Sequence, residues 1–395
     1  MDSMRLKDLV SIHTASINPM DAPEKLFHLY SLPSFDDNRK REEVLGRQIH
    51  SNKSLVPNRC ILFNKLNVRF QRIWLIDNDD ADKICSTEFL PLIVDENKID
   101  FYYCYFLLHA PSITNYLTGQ NTNTSGSHKR IDPDDFLSIE VQLPSLPEQK
   151  RIGKFLFDIE QKIIVNRQIN DYLEAMARQL YDYWFVQFDF PNEHGKPYKS
   201  SGGKMVWNEK LKREIPEHWN SATLQDYLTI KNGKDHKSLI DGVFPVYGSG
   251  GLMRYVDSYL FEGESVLFPR KGSLNHIMYV NEAFWTVDTM FYTELKIPNS
   301  AKFIFYSVNG IDFTGLDSGT GVPSMTSTTL YSIKLLKPTP NLLQSFDEKI
   351  QPWFHSIENN RRIIVDSMKL RNELLPLLMN GQVSIKPLNN HLSHD

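Results

Sequence analysis

Cysteine is scarce and no long apolar run is present. The three cysteines, Cys60, Cys85 and Cys104, are odd in number and widely spaced. That excludes a disulfide framework and a CxxC zinc site, and it fits a reducing compartment. The longest near-apolar stretch, Phe101 to Ala110, is about half of what a bilayer span requires. The opening MDSMRLKDLV has no apolar stretch behind a basic one. No secretory signal is therefore expected, and the expected location is cytoplasmic. Charge of one sign is also lacking. The net charge of −4 over 395 residues argues at first against a nucleic-acid binder. The distribution qualifies that total. Residues 38–72 carry nine Lys/Arg against Glu42 and Glu43, whereas residues 73–100 carry eight acids against Lys83 and Lys98. Such segregation can offer one basic face on an acidic chain.

What is present is a repeat. A shift of 194 residues lays Ser138-Ile139 on Ser332-Ile333, Pro144 on Pro338, Ile163 on Ile357, Asn166-Arg167 on Asn360-Arg361 and Leu180 on Leu374. Each copy reads as a short strand, a proline turn and a long helix. Ser145 and Glu148 have capping-box spacing, with Pro147 in the first turn. Thr339 before Pro340 is the second N-cap candidate. Ile152, Leu156, Ile159, Ile163, Leu173, Ala177, Leu180 and Trp184 form a coiled-coil seam. Phe346, Ile350, Trp353, Ile357, Ile364, Leu374 and Leu378 form its counterpart. Asn166 and Asn170 interrupt the first seam, and Asn360 stands at the repeat position of Asn166. Asn166 and Asn360 are the expected register-setting pair of helices packed about a pseudo-two-fold axis. A helix from Pro147 to Phe190 would be roughly 65 Å long. Pro352 and Pro376 are expected to kink or shorten the second helix.

The expected organisation is a globule at 1–142, a long helix at 143–190, an exposed Gly/Ser/Pro/Lys linker at 191–215, a globule at 216–336, a long helix at 337–381 and a tail at 382–395. The first globule mixes strand-like CILFNKL and RIWLID with a helical stretch near 101–117. The second is richer in strands.

Catalytic motifs are absent or incomplete. GSGG at 248–251 has Met253 where a third glycine belongs. SGGKM at 201–205 lacks the remainder of a phosphate loop. IDPDDF at 131–136 reads as a turn opening a helix. No HExxH, GxSxG or Cys/His metal spacing occurs. Asp288 followed by Glu294 and Lys296 has the pattern of a metal-dependent nuclease, yet alternation alone makes Glu294 and Lys296 a same-face pair on a strand.

Several long motifs, in order and duplicated, resemble the specificity subunits of type I restriction–modification systems. They are LPSLPEQKRI, NRQINDYLEAMARQLYDYWFVQFDFP and GKPYKSSGGKMVWNEKLKREIPEHW in the first half. FPVYGSGG, YLFEGESVLFPRKG, FWTVDTMFYTELK, SGTGVPSMTSTTLYSIKL and RNELLPLLMNGQV follow in the second. They cover about 140 to 381; the first globule matches more loosely. The resemblance implies two α/β (α+β) target-recognition domains separated by two long antiparallel coiled-coil helices. Each globule would read half of a bipartite, asymmetric double-stranded DNA site. The helices would set the spacer and dock two methyltransferase (modification) subunits, joined by two restriction (translocase/nuclease) subunits. The chain itself would be non-catalytic and bind no cofactor or metal. S-adenosylmethionine, ATP and Mg²⁺ would sit on the partners. Base edges in the major groove call for Arg, Lys, Asn, Gln, Ser or Thr. The candidates are Lys53, Lys65, Asn67, Arg69, Lys129 and Arg130 in the first globule. Ser249, Arg254, Arg270, Lys271, Ser324 and Thr326 are those in the second. A phosphate contact is the alternative for each, and Tyr247 is either a stacking or a core residue. Three other readings stay open on the residues. One is a recognition subunit whose single partner both methylates and cleaves. The others are the nuclease, and a coiled-coil scaffold that never meets DNA.

Overall fold

A computed structural model describes residues 2–37, 39–119, 130–316 and 324–386. Its helices are α1 (Leu32–Asp36), α2 (Phe101–Leu108), α3 (Pro111–Gly119), α4 (Pro133–Ser138), α5 (Leu146–Tyr181), α6 (Leu224–Tyr227), α7 (Ala301–Val308), α8 (Ser327–Tyr331) and α9 (Pro340–Met379). The chain divides into two compact units, residues 1–167 with 361–395 and residues 168–360. Each unit therefore contains one globule and a portion of both long helices.

In the first unit, a four-stranded antiparallel sheet has the order Val10–Ile12, Phe89–Val94, Arg59–Asn64, Ile73–Asp77. A five-stranded sheet, Ser16–Ile17, Lys53–Leu55, Lys83–Cys85, Leu26–Tyr30, Glu42–Leu45, has one parallel pairing. The apolar run at 101–110 becomes α2, buried on nearly every side. That burial is why its residues show no amphipathic period. All three cysteines are buried, and burial pushes the Cys60 and Cys104 thiols up to about 12. In the second unit, a six-stranded sheet has the order Leu228–Asn232, Met290–Leu295, Phe261–Pro269, Met278–Thr286, Asp241–Gly248, Gly251–Val256.

The duplication holds at the level of single bonds. Asp2–Arg5 pairs antiparallel with Glu140–Leu143, and Asn220–Thr223 pairs likewise with Lys334–Lys337, which lies 194 residues after Glu140–Leu143. The next backbone bond is repeated too: Leu6 N–H donates to Ile139 O and Leu224 N–H to Ile333 O, both at 2.9 Å. Helices α5 and α9 begin 194 residues apart.

The long helices differ from expectation at their ends and at the prolines. Helix α5 stops at Tyr181 and passes through a π-turn, Asp182–Val186, rather than reaching Phe190. The physical cause is aromatic burial. Trp184, Phe185, Phe188 and Phe190 enter a core with Trp219 and Phe346, which a straight helix could not place together. Helix α9 runs unbroken through Pro352 and Pro376. Each proline removes one N–H from the ladder. Phe346, Ile350, Phe354 and Ile357 bury the face around Pro352, and Leu378 and Met379 do so beyond Pro376. Residues 191–215 are more than a bare connection. They contain the hairpin Met205–Asn208 with Arg213–Pro216, and Tyr198 stacks on Phe190 at 4.8 Å.

Candidate nucleic-acid interface

In the first unit the site is built where strand Arg59–Asn64 ends. Asn64 is buried. Its Nδ2 donates to Leu66 O at 2.8 Å and its Oδ1 accepts from Arg72 N–H at 2.9 Å, closing the loop between two neighbouring strands. Asn67 takes a left-handed conformation, φ 51°, and accepts from Phe70 N–H. Asn tolerates that region better than most residues. Arg69 and Phe70 at the loop tip are exposed. Lys65 N–H donates to Glu88 O at 2.8 Å, Lys65 O accepts from Ile131 N–H at 2.9 Å, and Leu66 forms a bridge with Arg130. Thus Lys65, Asn67, Arg69 and Arg130 share one loop cluster. Lys53 belongs to the other sheet, where its ammonium donates to Ser51 Oγ at 2.6 Å and burial lowers its pKa. Lys129 lies outside the described residues.

The second unit repeats the construction. Arg270 N–H donates to Thr289 O at 2.8 Å, Arg270 O accepts from Met325 N–H at 2.9 Å, and Lys271 bridges Ser324. Lys65 therefore corresponds to Arg270, Arg130 to Ser324 and Glu88 to Thr289. Arg270 and Lys271 are exposed. Gly272, φ 88°, turns the chain beside Ser249. Ser249 is at the tip of the hairpin Asp241–Gly248/Gly251–Val256, its carbonyl 2.9 Å from His276 Nδ1. A cavity of about 480 Å³ is lined by Asp235, His236, Lys237, Ser249, Asp288 and Thr289 among others. Thr326 caps α8, its Oγ1 accepting from Thr329 N–H, just as Asp132 caps α4. Arg254 is tied to Leu239 O at 2.5 Å and lies 3.6 Å from Asp241. Tyr247 donates to Glu282 at 2.7 Å and is partly buried.

The nuclease pattern does not assemble. Asp288 precedes strand Met290–Leu295 and Glu294 lies near its far end, roughly 20 Å away for an extended chain. Glu294 pairs with Lys231 at 3.5 Å, and Lys296 donates to Gln225 O. Among the described residues no group of His, Cys, Asp or Glu could hold a metal ion.

The expected pairing of Asn166 with Asn360 does not form. Asn360 Nδ2 donates to Asn170 Oδ1 at 2.9 Å, and Asn170 Nδ2 reaches Ile357 O at 3.5 Å. Asn166 instead donates to Lys162 O of its own helix. Asn170 is 8% exposed, one helical turn further along the same seam. In the first unit a buried carboxylate takes the polar role. Glu160 pairs with Arg371 of α9 and with Arg39 at 3.1 Å.

Sequence reasoning missed Glu88, Glu160, His276, Thr289 and the Asp235-His236-Lys237 stretch. The polar run Lys234-Asp235-His236-Lys237 after a strand was the available signal for the last. Glu88 was hidden in an acidic window, because its cationic partner is 42 residues away in sequence.

The family model "Type I restriction modification DNA specificity domain" matches residues 2–175 and 216–364. The MjaIX specificity subunit of a type I restriction enzyme from Methanocaldococcus jannaschii is 23% identical over 334 residues, covering 75% of this chain and 72% of that protein. The MjaVIII specificity subunit from the same organism is 26% identical over 392 residues, covering 88% and 86%. The crystal structure of a type I restriction–modification S subunit from M. genitalium superposes with a TM-score of 0.64 at 15% identity, covering 95% of both chains. That likeness bears on the fold: mixed α/β domains linked by two long helices that pack together. No described helix is long and apolar enough to cross a membrane.

Proposed function

The chain belongs to the type I restriction–modification DNA specificity family, and from that premise we propose that each unit reads one half of a bipartite, asymmetric site. It is the specificity subunit, a non-catalytic component of the restriction–modification enzyme. The observation that carries the half-site reading is the duplicated bridge. Leu66 with Arg130 and Lys271 with Ser324 hold equivalent loops by equivalent bonds. Each cluster presents exposed cationic side chains, Arg69 and Arg130 in one, Arg270 and Lys271 in the other. Such groups can meet base edges or phosphates.

The helical pair sets the gap between the half-sites and docks two modification subunits. Support comes from an exposed apolar stripe on α5. Val165, Ile169, Tyr172 and Met176 recur at helical spacing, with Tyr172 71% exposed. S-adenosylmethionine, ATP and Mg²⁺ act on the modification and restriction subunits, in the cytoplasm.

The test is a selection from random duplex DNA by the natively assembled complex at physiological ionic strength, since affinity depends steeply on salt. Two short motifs at a fixed gap are expected. Arg270→Ala should relax the second motif and leave the first intact. A single motif, or equal weakening of both by Arg270→Ala, would overturn the assignment.

A further inference from the structure

The two equivalent clusters differ in one feature. In the first unit, Arg130 faces Glu88 through one edge of its guanidinium. Nε lies 2.9 Å from Oε2 and 3.1 Å from Oε1, and Nη2 lies 2.6 Å from Oε1. In the second unit the corresponding residues are Ser324 and Thr289, which cannot form such a pair. The Arg130 side chain is 60% exposed while that of Glu88 is 18% exposed. The carboxylate is thus the fixed part and the guanidinium the presented part. Glu88 is itself anchored. Its carbonyl accepts from Lys65 N–H, and its N–H donates to Ser86 Oγ at 3.3 Å.

A guanidinium has five N–H donors in a planar fork. Glu88 takes the Nε/Nη2 edge. Among the described residues nothing else takes the Nη1/Nη2 edge, whose two parallel donors point away from the carboxylate. Two parallel donors match O6 and N7 of guanine in the major groove. The same fork can grip a phosphate, but a phosphate is also served by the point charge of a lysine, whereas the two guanine acceptors call for the planar fork. An arginine already held in a plane also loses less side-chain freedom on binding.

We propose that Glu88 is a positioning residue that aims the free edge of Arg130 at a guanine in the first half-site. This rests on the half-site reading above. It adds one residue and one base to that reading, and it assigns no such device to the second unit.

The experiment uses the assembled complex and random duplex DNA, at two salt concentrations. Wild type is compared with Glu88→Gln, Arg130→Ala and Arg130→Lys. In wild type, the first motif should contain a guanine column that Arg130→Ala relaxes about 10-fold or more. Glu88→Gln, nearly isosteric, should relax the same column and no other. Arg130→Lys keeps the charge but has no planar fork. It should relax the column too, with the salt dependence of affinity unchanged. Amide exchange of the first unit should be unaltered in Glu88→Gln, which separates positioning from folding. Two outcomes overturn the proposal while sparing the half-site reading. One is a wild-type bipartite motif that Glu88→Gln leaves unchanged. The other is a Glu88→Gln complex that binds all sequences more tightly with unchanged selectivity, which would make Glu88 an electrostatic shield. Absence of two motifs in wild type overturns the half-site reading and this proposal together.

Discussion

The two units fasten a long helix to a globule by different physics at equivalent places. In the first, α5 approaches α2 at Gly153, where a Cβ would fall 2.4 Å from Asp100 Oδ1 and 2.6 Å from Tyr103 N. Gln149, 2% exposed, accepts from Asp100 N–H and donates to Pro144 O. In the second, the repeat puts Asp347 at the place of Gly153 and Leu343 at that of Gln149. Lys302 of α7, fully buried, bonds Asp347 Oδ1 and Glu264 Oε1, both at 2.7 Å. Tyr279 donates a further bond to Glu264. One unit gains contact by removing a side chain, the other by pairing charges. A duplicated backbone plan therefore constrains where elements meet and leaves open what holds them. Burial pushes the Asp347 pKa up, and Lys302 opposes that shift.

The comparison breaks most sharply at Lys302. Lys302→Met leaves two half-buried carboxylates, Glu264 and Asp347, without their shared cation. It should cost the second unit about 3–5 kcal/mol. Amide exchange resolved by unit would check it. The expected result is faster exchange at 168–360 and little change in the first globule.

Acid should act on the opposite unit. His109 ends α2, with Nδ1 2.9 Å from Tyr105 O, whereas Asn309 ends α7. Burial, aided by Arg39 and Arg371 and opposed by Glu160 and the Tyr105 bond, brings the His109 pKa from 6.5 to about 4. The unfolded chain takes up the proton below about pH 6.5 and the folded unit only below about pH 4. Stability is fully present above that window and is lost as pH falls through it, by at most about 3 kcal/mol. Melting from pH 7 to pH 4 should show the loss, and His109→Asn should flatten it.

Gly153→Ala tests the close approach. Backbone and the half-buried Asp100 carboxylate would have to move, at about 1–3 kcal/mol, in the first unit alone. Chemical denaturation with exchange by unit would measure this; an unchanged midpoint would mean the helices separate at no cost.

The smallest effect concerns the seam. Replacing Asn170 and Asn360 together by Leu removes a partly buried amide pair without orphaning either partner. Stability should rise by no more than about 1 kcal/mol. A loss would mean that these amides contact a partner subunit.

Much of the plan was legible. The 194-residue offset located both strands preceding the helices and both helix starts, because local propensity and turn chemistry act over a few residues. CILFNKL and RIWLID became neighbouring strands. The run at 101–117 became α2 and α3, divided at His109-Ala110. The reading failed where distant groups decide. Pro352 and Pro376 are helix breakers by propensity, yet side-chain burial along α9 outweighs two missing ladder bonds. Asn166 and Asn170 are one turn apart on the same seam, and only the facing helix distinguishes them. Arg254 looked like a loop cation, but Leu239 O and Asp241 hold it within its hairpin.

By itself, the sequence determined the duplication and the long helices and carried the family resemblance, because each is written in periodic or contiguous residues. Only the tertiary structure decided which cations are presented and which are held. Arg130 depends on Glu88 42 residues away, Lys302 on Asp347 45 residues away, and Glu160 on Arg371 211 residues away. The field at a charged group falls off with distance through space, so its partner need not be near it along the chain.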